Sequence, residues 1–292
     1  MKPAPFDYCA PDSVEEALDI LATHGGDAKV MAGGQSLTPM LNFRVVRPNL
    51  IVDISRLIEL DYVRSSGQGG LTVGALTRHR ELETSSLVAS RFPVIPETMV
   101  NVAHLAIRNR GTIGGSLSHA DPAAELPMLT RLLDAEIVVR STRGERVIAS
   151  EDFFVAPLTS ALEDDEIVVR VDLPGLPTGM GWCFQEFARR AGDFALAAVG
   201  VLLDVRDGII HEARVAMMGV GDTPLRRPEA EAVLTGSALS DAVVAEAVQA
   251  ACVSLEPNVD LHASPEFRRH LAGVLMERVL RKAWQRSAGV KA

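Results

Sequence analysis

The chain has 292 residues, a formal charge of −9, 47% hydrophobic and 23% charged residues, enough for a sizeable core and two or three modules. The acidic balance argues against a nucleic-acid partner, and the absence of an apolar run of about 18 residues argues against a membrane span. The opening MKPAPFDYCAPDS shows neither the apolar stretch of a signal peptide nor a twin-arginine leader, so a cytoplasmic location is expected.

DSVEEALDILATHGG predicts a helix capped by Ser13, with Glu16 at the N3 position of a capping box. Val14, Ala17, Leu18 and Leu21 form its apolar face, and Gly25–Gly26 end it. AKVMA reads as a short strand, SLTPMLNFRVV as a short helix with Pro39 in its first turn, and NLIVDIS as a second strand. These make a β/α module over 1–57.

The middle, 58–177, mixes strands and helices. GLTVGAL is a strand, and Thr77 is placed to cap RHRELETSS. PAAELPMLTRLLD is a helix with Pro122 near its first turn. AEIVVRS and RVIA make a hairpin around Arg143–Gly144, and DDEIVVRVDLP adds a strand. Helices beside a mainly antiparallel sheet predict an α+β arrangement, ending where glycine and proline crowd together at 175–179. The last part, 178–292, holds strands in FALAAVGVLLDVRDG and HEARVAMMGVG around a turn at Asp207–Gly208. Two helices follow, one from Ser240 and one capped by Ser264 with Pro265 at its first position. Phe267, Leu271, Leu275 and Val279 mark the buried stripe of the last helix.

Cys9, Cys183 and Cys252 are far apart and show no C-x-x-C spacing, so no iron–sulfur or zinc site follows from them. Two glycine-rich stretches hold the chemical interest. In KVMAGGQSL, Gly33 and Gly34 lie where a strand gives way to a helix. Their amides, with those of Gln35, Ser36 and Leu37, can converge on one anion such as a diphosphate. A tight turn with no ligand is the alternative. In GTIGGSLSHADPAAELP, three glycines accompany Thr112, Ser116 and Ser118. Such a run loses backbone entropy on folding unless something packs against it. Asp121 and Glu125 are four apart and share a face if that segment is helical. A carboxylate there suits sugar or ribityl hydroxyls, or it decorates a helix start. Neither stretch has G-x-G-x-x-G or P-loop spacing, so nicotinamide and ATP sites of the usual kinds are not indicated.

The combination AGGQSL, TIGGSLSHADPAAELP and RRAGDFALAAV, in this order along essentially the whole chain, resembles the FAD-binding medium subunits of the molybdenum hydroxylases. The resemblance implies a vanillyl-alcohol-oxidase-type α+β fold. An N-terminal α/β lobe and a middle antiparallel-sheet lobe hold FAD non-covalently, and a C-terminal α+β domain packs at the flavin end. It further implies that Ala32 to Ser36, followed by Leu37, cradle the diphosphate, with Lys29 just before them. Thr112, Ile113, Gly114, Gly115, Ser116 and Ser118 add contacts, and His119 lies within that motif. Glu125 falls where relatives place an acid, often aspartate, on the ribityl chain. Leu162 matches an apolar residue packed on the cofactor. Phe194, after Asp193, matches an aromatic residue shielding one flavin face, a tyrosine in the carbon monoxide enzyme.

No nucleophile or general base is nominated, and His79 and His104 are expected to cap or cover nearby elements. The resemblance implies an electron-transfer subunit. A molybdenum cofactor on a large partner and [2Fe–2S] clusters on a small one would supply electrons to FAD here, and an external acceptor would take them. The assembly implied is a dimer of heterotrimers. A free-standing FAD oxidoreductase of the same fold and a non-catalytic binding or assembly protein are the competing functions.

Overall fold

The computed structural model describes residues 1–287, and three principal sheets follow one another along the chain. The first is parallel, with Asp7–Cys9 and Ala28–Met31 flanking Leu50–Asp53. Helix Val14–His24 crosses between its first two strands. Ser13 Oγ accepts the Glu16 amide at 3.1 Å, and Glu16 Oε2 accepts the Asp12 amide at 2.8 Å. The predicted apolar face is buried, and Gly25 ends the helix at φ +49°.

The second sheet is antiparallel, in the order Val63–Ser65, Leu71–Gly74, Ile167–Leu173, Glu136–Ser141, Gly144–Ala149. A run of short helices from His79–Thr84 to Glu125–Leu132 fills the long connection from Gly74 to Glu136. Thr77 does not cap the first of them. Its fully buried hydroxyl donates to the Tyr62 carbonyl at 2.8 Å, and the helix starts after Arg78 with no side-chain cap.

The third sheet is an antiparallel meander of Gly181–Phe187, Ala197–Arg206, Ile209–Met218 and Leu225–Arg226. Asp207 and Gly208, both at positive φ (51° and 76°), make its two-residue turn. One face, through Cys183, Val199, Val201 and Met217, shares a core with the capped helices Asp241–Cys252 and Pro265–Arg286. The other, through Trp182, Phe184, Ala198, Leu202 and Met218, shares the middle lobe's core. Burial on both faces accounts for the unbroken apolar run from Ala195 to Leu203. Gly200 lets the middle lobe close on this sheet, since a Cβ there would lie 2.9 Å from Leu132 Cδ2 and 3.3 Å from Met128 Sδ.

Leu271, Leu275 and Val279 are buried as their spacing predicts, but Phe267 is 44% exposed. It stands in the first turn of its helix and meets Phe187 edge-on, ring centroids 6.4 Å apart. Helix Pro228–Leu234 and strand Asp7–Cys9 are additions that their short patterns did not announce. Among the described residues, no helix is long and apolar enough to cross a membrane.

Glu97 fastens the middle lobe to the third. Its carboxylate accepts the Phe184 amide at 3.1 Å and the Arg286 guanidinium at 2.6 Å. Arg286 also donates to the Trp182 carbonyl at 3.1 Å and lies 5.2 Å from that indole's centroid. His79 seats the second glycine stretch. Its amide donates to the Gly111 carbonyl at 2.9 Å, and its buried ring contacts the Thr112 carbonyl through Nε2 at 3.1 Å. Because a carbonyl only accepts, Nε2 holds the proton and Nδ1 keeps a lone pair with no partner. Burial, then Arg108 and Arg78, bring the ring's pKa down to about 4.

Glu97→Ala removes two charge-assisted hydrogen bonds and is expected to cost about 2–3 kcal/mol. A lower denaturation midpoint, against an unchanged midpoint for an exposed control such as Glu246→Ala, checks it. His79 stays neutral in the folded chain, whereas the unfolded chain takes up a proton below pH 6.5. The wild type therefore loses stability relative to His79→Gln as pH falls from 6.5 towards about 4, read as the difference in Tm between the two proteins.

Candidate functional site

Strand Ala28–Met31 ends in the first glycine stretch, at the carboxyl end of the parallel sheet, where open sheets of this kind bind ligands. Gly34 takes φ +68°, and the amide of Thr38 bonds the Gly34 carbonyl at 3.1 Å to start the turn into helix Leu37–Asn42. That helix is shorter than predicted and stops before Phe43 and Arg44, the latter at φ +56°. Gln35 folds back, its Nε2 donating to the Gly33 carbonyl at 2.9 Å. Among the described residues, the amides of Gly33, Gly34, Gln35, Ser36 and Leu37 have no internal acceptor. A run of unpaired amides around a left-handed residue is an anion nest. Lys29, exposed, lies earlier on the same strand.

The second stretch behaves differently. Ile113–His119 is a helix, capped by Thr112, whose Oγ1 accepts the Gly115 amide at 3.1 Å. The amides of Ile113 and Gly114 are taken by the carbonyls of Thr77 at 3.1 Å and Ala75 at 2.9 Å, and that of Ser116 by Thr112 at 3.0 Å. The amides from Ile113 to Ser116 therefore have internal acceptors, unlike those of the first stretch. The small residues here serve packing. A Cβ on Gly114 would lie 2.7 Å from Ala75 Cβ, and one on Gly111 would lie 2.8 Å from the His79 ring. Ser118 Oγ donates to the Gly114 carbonyl at 2.8 Å, which leaves its oxygen able to accept. His119 ends the helix, half-buried, and Ala120 follows at φ +52°.

The two stretches meet. A Cβ on Gly33 would stand 2.2 Å from the Arg110 carbonyl oxygen and 2.9 Å from Gly111 Cα, and one on Gly115 would stand 3.9 Å from Ala32 Cβ. The Arg78 guanidinium donates to the same Arg110 carbonyl.

The third lobe joins through the connection from Phe187 to Leu196. Gly192, at φ +83°, rests on His104 and Ala103; a Cβ would lie 2.6 Å from the imidazole. Thus His104 and His79 cover glycines of neighbouring segments. The Asp193 amide bonds the Arg190 carbonyl at 3.1 Å, and Asp193 pairs with Arg189 at 3.7 Å. Phe194 is 68% exposed, so it is no core residue.

Glu125 opens helix Glu125–Leu132, and Asp121 and Pro122 stand outside it, so the predicted shared face of Asp121 and Glu125 does not form. Asp121 Oδ1 accepts the Ala123 amide at 2.8 Å, and Pro127 sits in the first turn, where its missing N–H leaves nothing unpaired. Glu125 is buried. Burial, then Glu186 and Asp121, push its pKa up to about 8. Glu186, on strand Gly181–Phe187, is pushed up to about 7 by burial, and its Oε2 has no partner. Nothing in the sequence singled out Glu186, because its significance depends on which face of the third sheet it occupies. Leu162 is not gathered with these groups. It lines a surface depression with Ala22, Gly25 and Glu163–Asp165, by the amino end of strand Ala28–Met31.

A family model described as the FAD binding domain in molybdopterin dehydrogenase matches residues 4–176, and one described as the CO dehydrogenase flavoprotein C-terminal domain matches 182–283. The chain is 45% identical to the 6-hydroxypseudooxynicotine dehydrogenase complex subunit alpha of Paenarthrobacter nicotinovorans, over 100% of this chain and 98% of that protein. It superposes on a chain of carbon monoxide dehydrogenase from Hydrogenophaga pseudoflava with a TM-score of 0.96 at 36% identity, covering 99% and 100% of the two. On quinoline 2-oxidoreductase from Pseudomonas putida 86 it gives 0.93 at 39% identity, covering 98% and 99%. With both models matched in sequence and the full-length fold shared, the chain belongs to the FAD-binding medium subunits of the molybdopterin-dependent dehydrogenases, the CO dehydrogenase flavoprotein family.

Proposed function

We propose that this chain is the electron-transfer flavoprotein component of a cytoplasmic, heteromeric molybdenum-dependent hydroxylase or dehydrogenase. The observation that carries the reading is the run of unpartnered amides from Gly33 to Leu37, held against the Arg110–Gly111 backbone. Such a nest fits the diphosphate of FAD: it is anion-seeking, it is built on glycine, and it stands at the sheet edge where nucleotides bind.

In this reading Ala32, Gly33, Gly34, Gln35, Ser36 and Leu37 hold the diphosphate, with Lys29 adding positive charge nearby. Ile113 and Gly114 form a floor, since their amides are used internally. Thr112, Ser116, Ser118 and His119 carry polar side chains along the same segment, and Gly115, its amide bonded to Thr112, offers close approach. Glu125 meets the ribityl hydroxyls, and Asp193 and Phe194 approach the ring from the third lobe. Leu162 would contribute only through the packing behind the cleft. The lobes assigned are 1–57 and 58–177 for FAD and 178–292 for the third domain. Bound FAD would accept electrons one at a time and release them singly or as a pair, linking a one-electron relay to an external acceptor.

The [2Fe–2S] clusters are assigned to a small partner and the molybdenum cofactor to a large one, in a dimer of heterotrimers. Relatives named as medium chains or medium subunits, in carbon monoxide dehydrogenase and nicotine 6-hydroxylase, support the presence of a smaller and a larger partner.

Gly33→Ala is expected to weaken FAD binding on the order of 100-fold, about 2.7 kcal/mol, by forcing the two stretches apart. Gly67→Ala, where a Cβ meets nothing within 4 Å, is expected to leave binding unchanged. Titration of the apoprotein by flavin fluorescence measures both. Purification of the tagged chain from its source is expected to bring down two further polypeptides with FAD, iron and molybdenum. Turnover of a small substrate by the isolated chain would favour the free-standing oxidoreductase instead, and a partner without a reducible flavin would favour a binding protein.

A further inference from the structure

Strand Gly181–Phe187 alternates between the two cores of the third sheet. Trp182 and Phe184 point to the middle lobe and Cys183 to the opposite side. Glu186 continues the Trp182–Phe184 face by the two-residue period of a strand, so its carboxyl is directed at the boundary with the middle lobe. It pairs in register with Ala198, which pairs with Met218, both in the middle-lobe core. One row along the sheet, Phe184 pairs with Gly200, and Gly200 is where Met128 and Leu132 of helix Glu125–Leu132 press in. Glu125 lies one helical turn before Met128 on that helix. Three residues of helix advance about 4.5 Å and one same-face step on a strand about 6.6 Å. The start of the helix lies towards the Ala198–Glu186 row, because Pro122 just before it bonds Gly219, the neighbour of Met218 in that row. The hydrogen bond from the Gly219 amide to the Pro122 carbonyl, 3.0 Å, closes the same end of this interface.

We propose that Glu186 pairs with Glu125 across the boundary between the middle and third lobes, the two carboxyls sharing one proton, and that Glu186 thereby keeps Glu125 able to donate a hydrogen bond to a hydroxyl-bearing ligand in the cleft. Two ionised carboxylates in a shared buried site repel, and the remedy is to retain a proton. The charges around the pair do not replace that proton. Asp121, on the loop before the helix, adds to the repulsion. Arg108, the cation felt by Glu125, is engaged by Glu83 at 2.9 Å and by the carbonyls of Val102 and Ala103 at 2.8 and 3.1 Å. On the third-lobe connection, Arg189 is paired with Asp193. The upward shift of Glu125, raised by burial and then by Glu186, agrees with this arrangement; that of Glu186 comes from burial. Glu186 is thus a positioning residue. The pairing stands on the fold alone, while its action on a polyol chain rests on the FAD reading above.

The test uses the full-length apoprotein with ¹³C-carboxyl-labelled glutamate, titrated by NMR as wild type, Glu186→Gln and Glu125→Gln. Coupled titration in the wild type is expected, with Glu125 ionising at least about one pH unit lower in Glu186→Gln and Glu186 shifting reciprocally in Glu125→Gln. Either variant alone decides the pairing, and a Glu125 titration unmoved by Glu186→Gln overturns it. Folded-state protons retained above pH 4.5 mean that the wild type loses stability relative to the Glu125→Gln/Glu186→Gln double variant as pH rises from 4.5 through about 8, read as the difference in Tm between the two proteins. FAD affinity, followed by fluorescence, is expected to drop about tenfold as the pair ionises, which is about 1.4 kcal/mol. A coupled pair with pH-independent FAD affinity overturns the role towards the ligand. A coupled pair in a protein that binds no FAD leaves the pairing standing and refutes the flavin reading instead.

Discussion

One backbone contact organises this molecule. Gly33, from the parallel-sheet lobe, lies against the Arg110 carbonyl of the middle lobe so closely that a methyl group would stand 2.2 Å from the oxygen. Real Cβ atoms do not approach a carbonyl in that way, so the contact exists only because residue 33 has no side chain. It brings a loop of open amides against a helix start whose own amides are already used. The two sides have separate tasks: the first offers donors, and the second supplies the rigid surface that holds them in place. Arg78 and His79 enforce the second task by pinning the Arg110, Gly111 and Thr112 carbonyls.

The third lobe extends the same logic. Its sheet is buried on both faces, between the long Pro265–Arg286 helix and the helices of the middle lobe, so it cannot shift without opening a core. Glu97 and Arg286 fasten one end of that interface. Arg226 fastens another, through the Arg131 carbonyl at 2.9 Å and through Asp134, while Glu231 of its own lobe holds it in place. Glu125 of the middle lobe and Glu186 of the third lie within electrostatic reach of each other, and the Gly192 turn packs on His104 just before Phe194.

Much of this was legible in the residues. The capping pattern at Ser13, Ser240 and Ser264 located three helices, because a side-chain oxygen three residues before a bonded amide is a local signal. Alternation and the Asp207–Gly208 turn located the long hairpin, and the glycine pairs located the contact between the first two lobes. What escaped was non-local. Thr77 has the chemistry of a cap but bonds the Tyr62 carbonyl, and no pattern near Thr77 encodes that partner. The helical nature of Ile113–His119 was hidden by its glycines, whose packing against Ala75 and Thr112 replaces intrinsic propensity. Phe267 has the spacing of a core residue, yet its first-turn position puts it at the sheet margin against Phe187. Glu186 reads as an ordinary strand acid until the pairing of strands shows which core it faces.

The central claim, that the Gly33–Leu37 amides are an anion nest for FAD, is tested most directly by residue-resolved amide hydrogen exchange with and without FAD. The account predicts that these five amides exchange freely in the apoprotein and become protected when FAD binds, while Ile113 and Gly114 are protected throughout. Protection appearing at Ile113–Gly115 instead, with Gly33–Leu37 unchanged by the ligand, would contradict it.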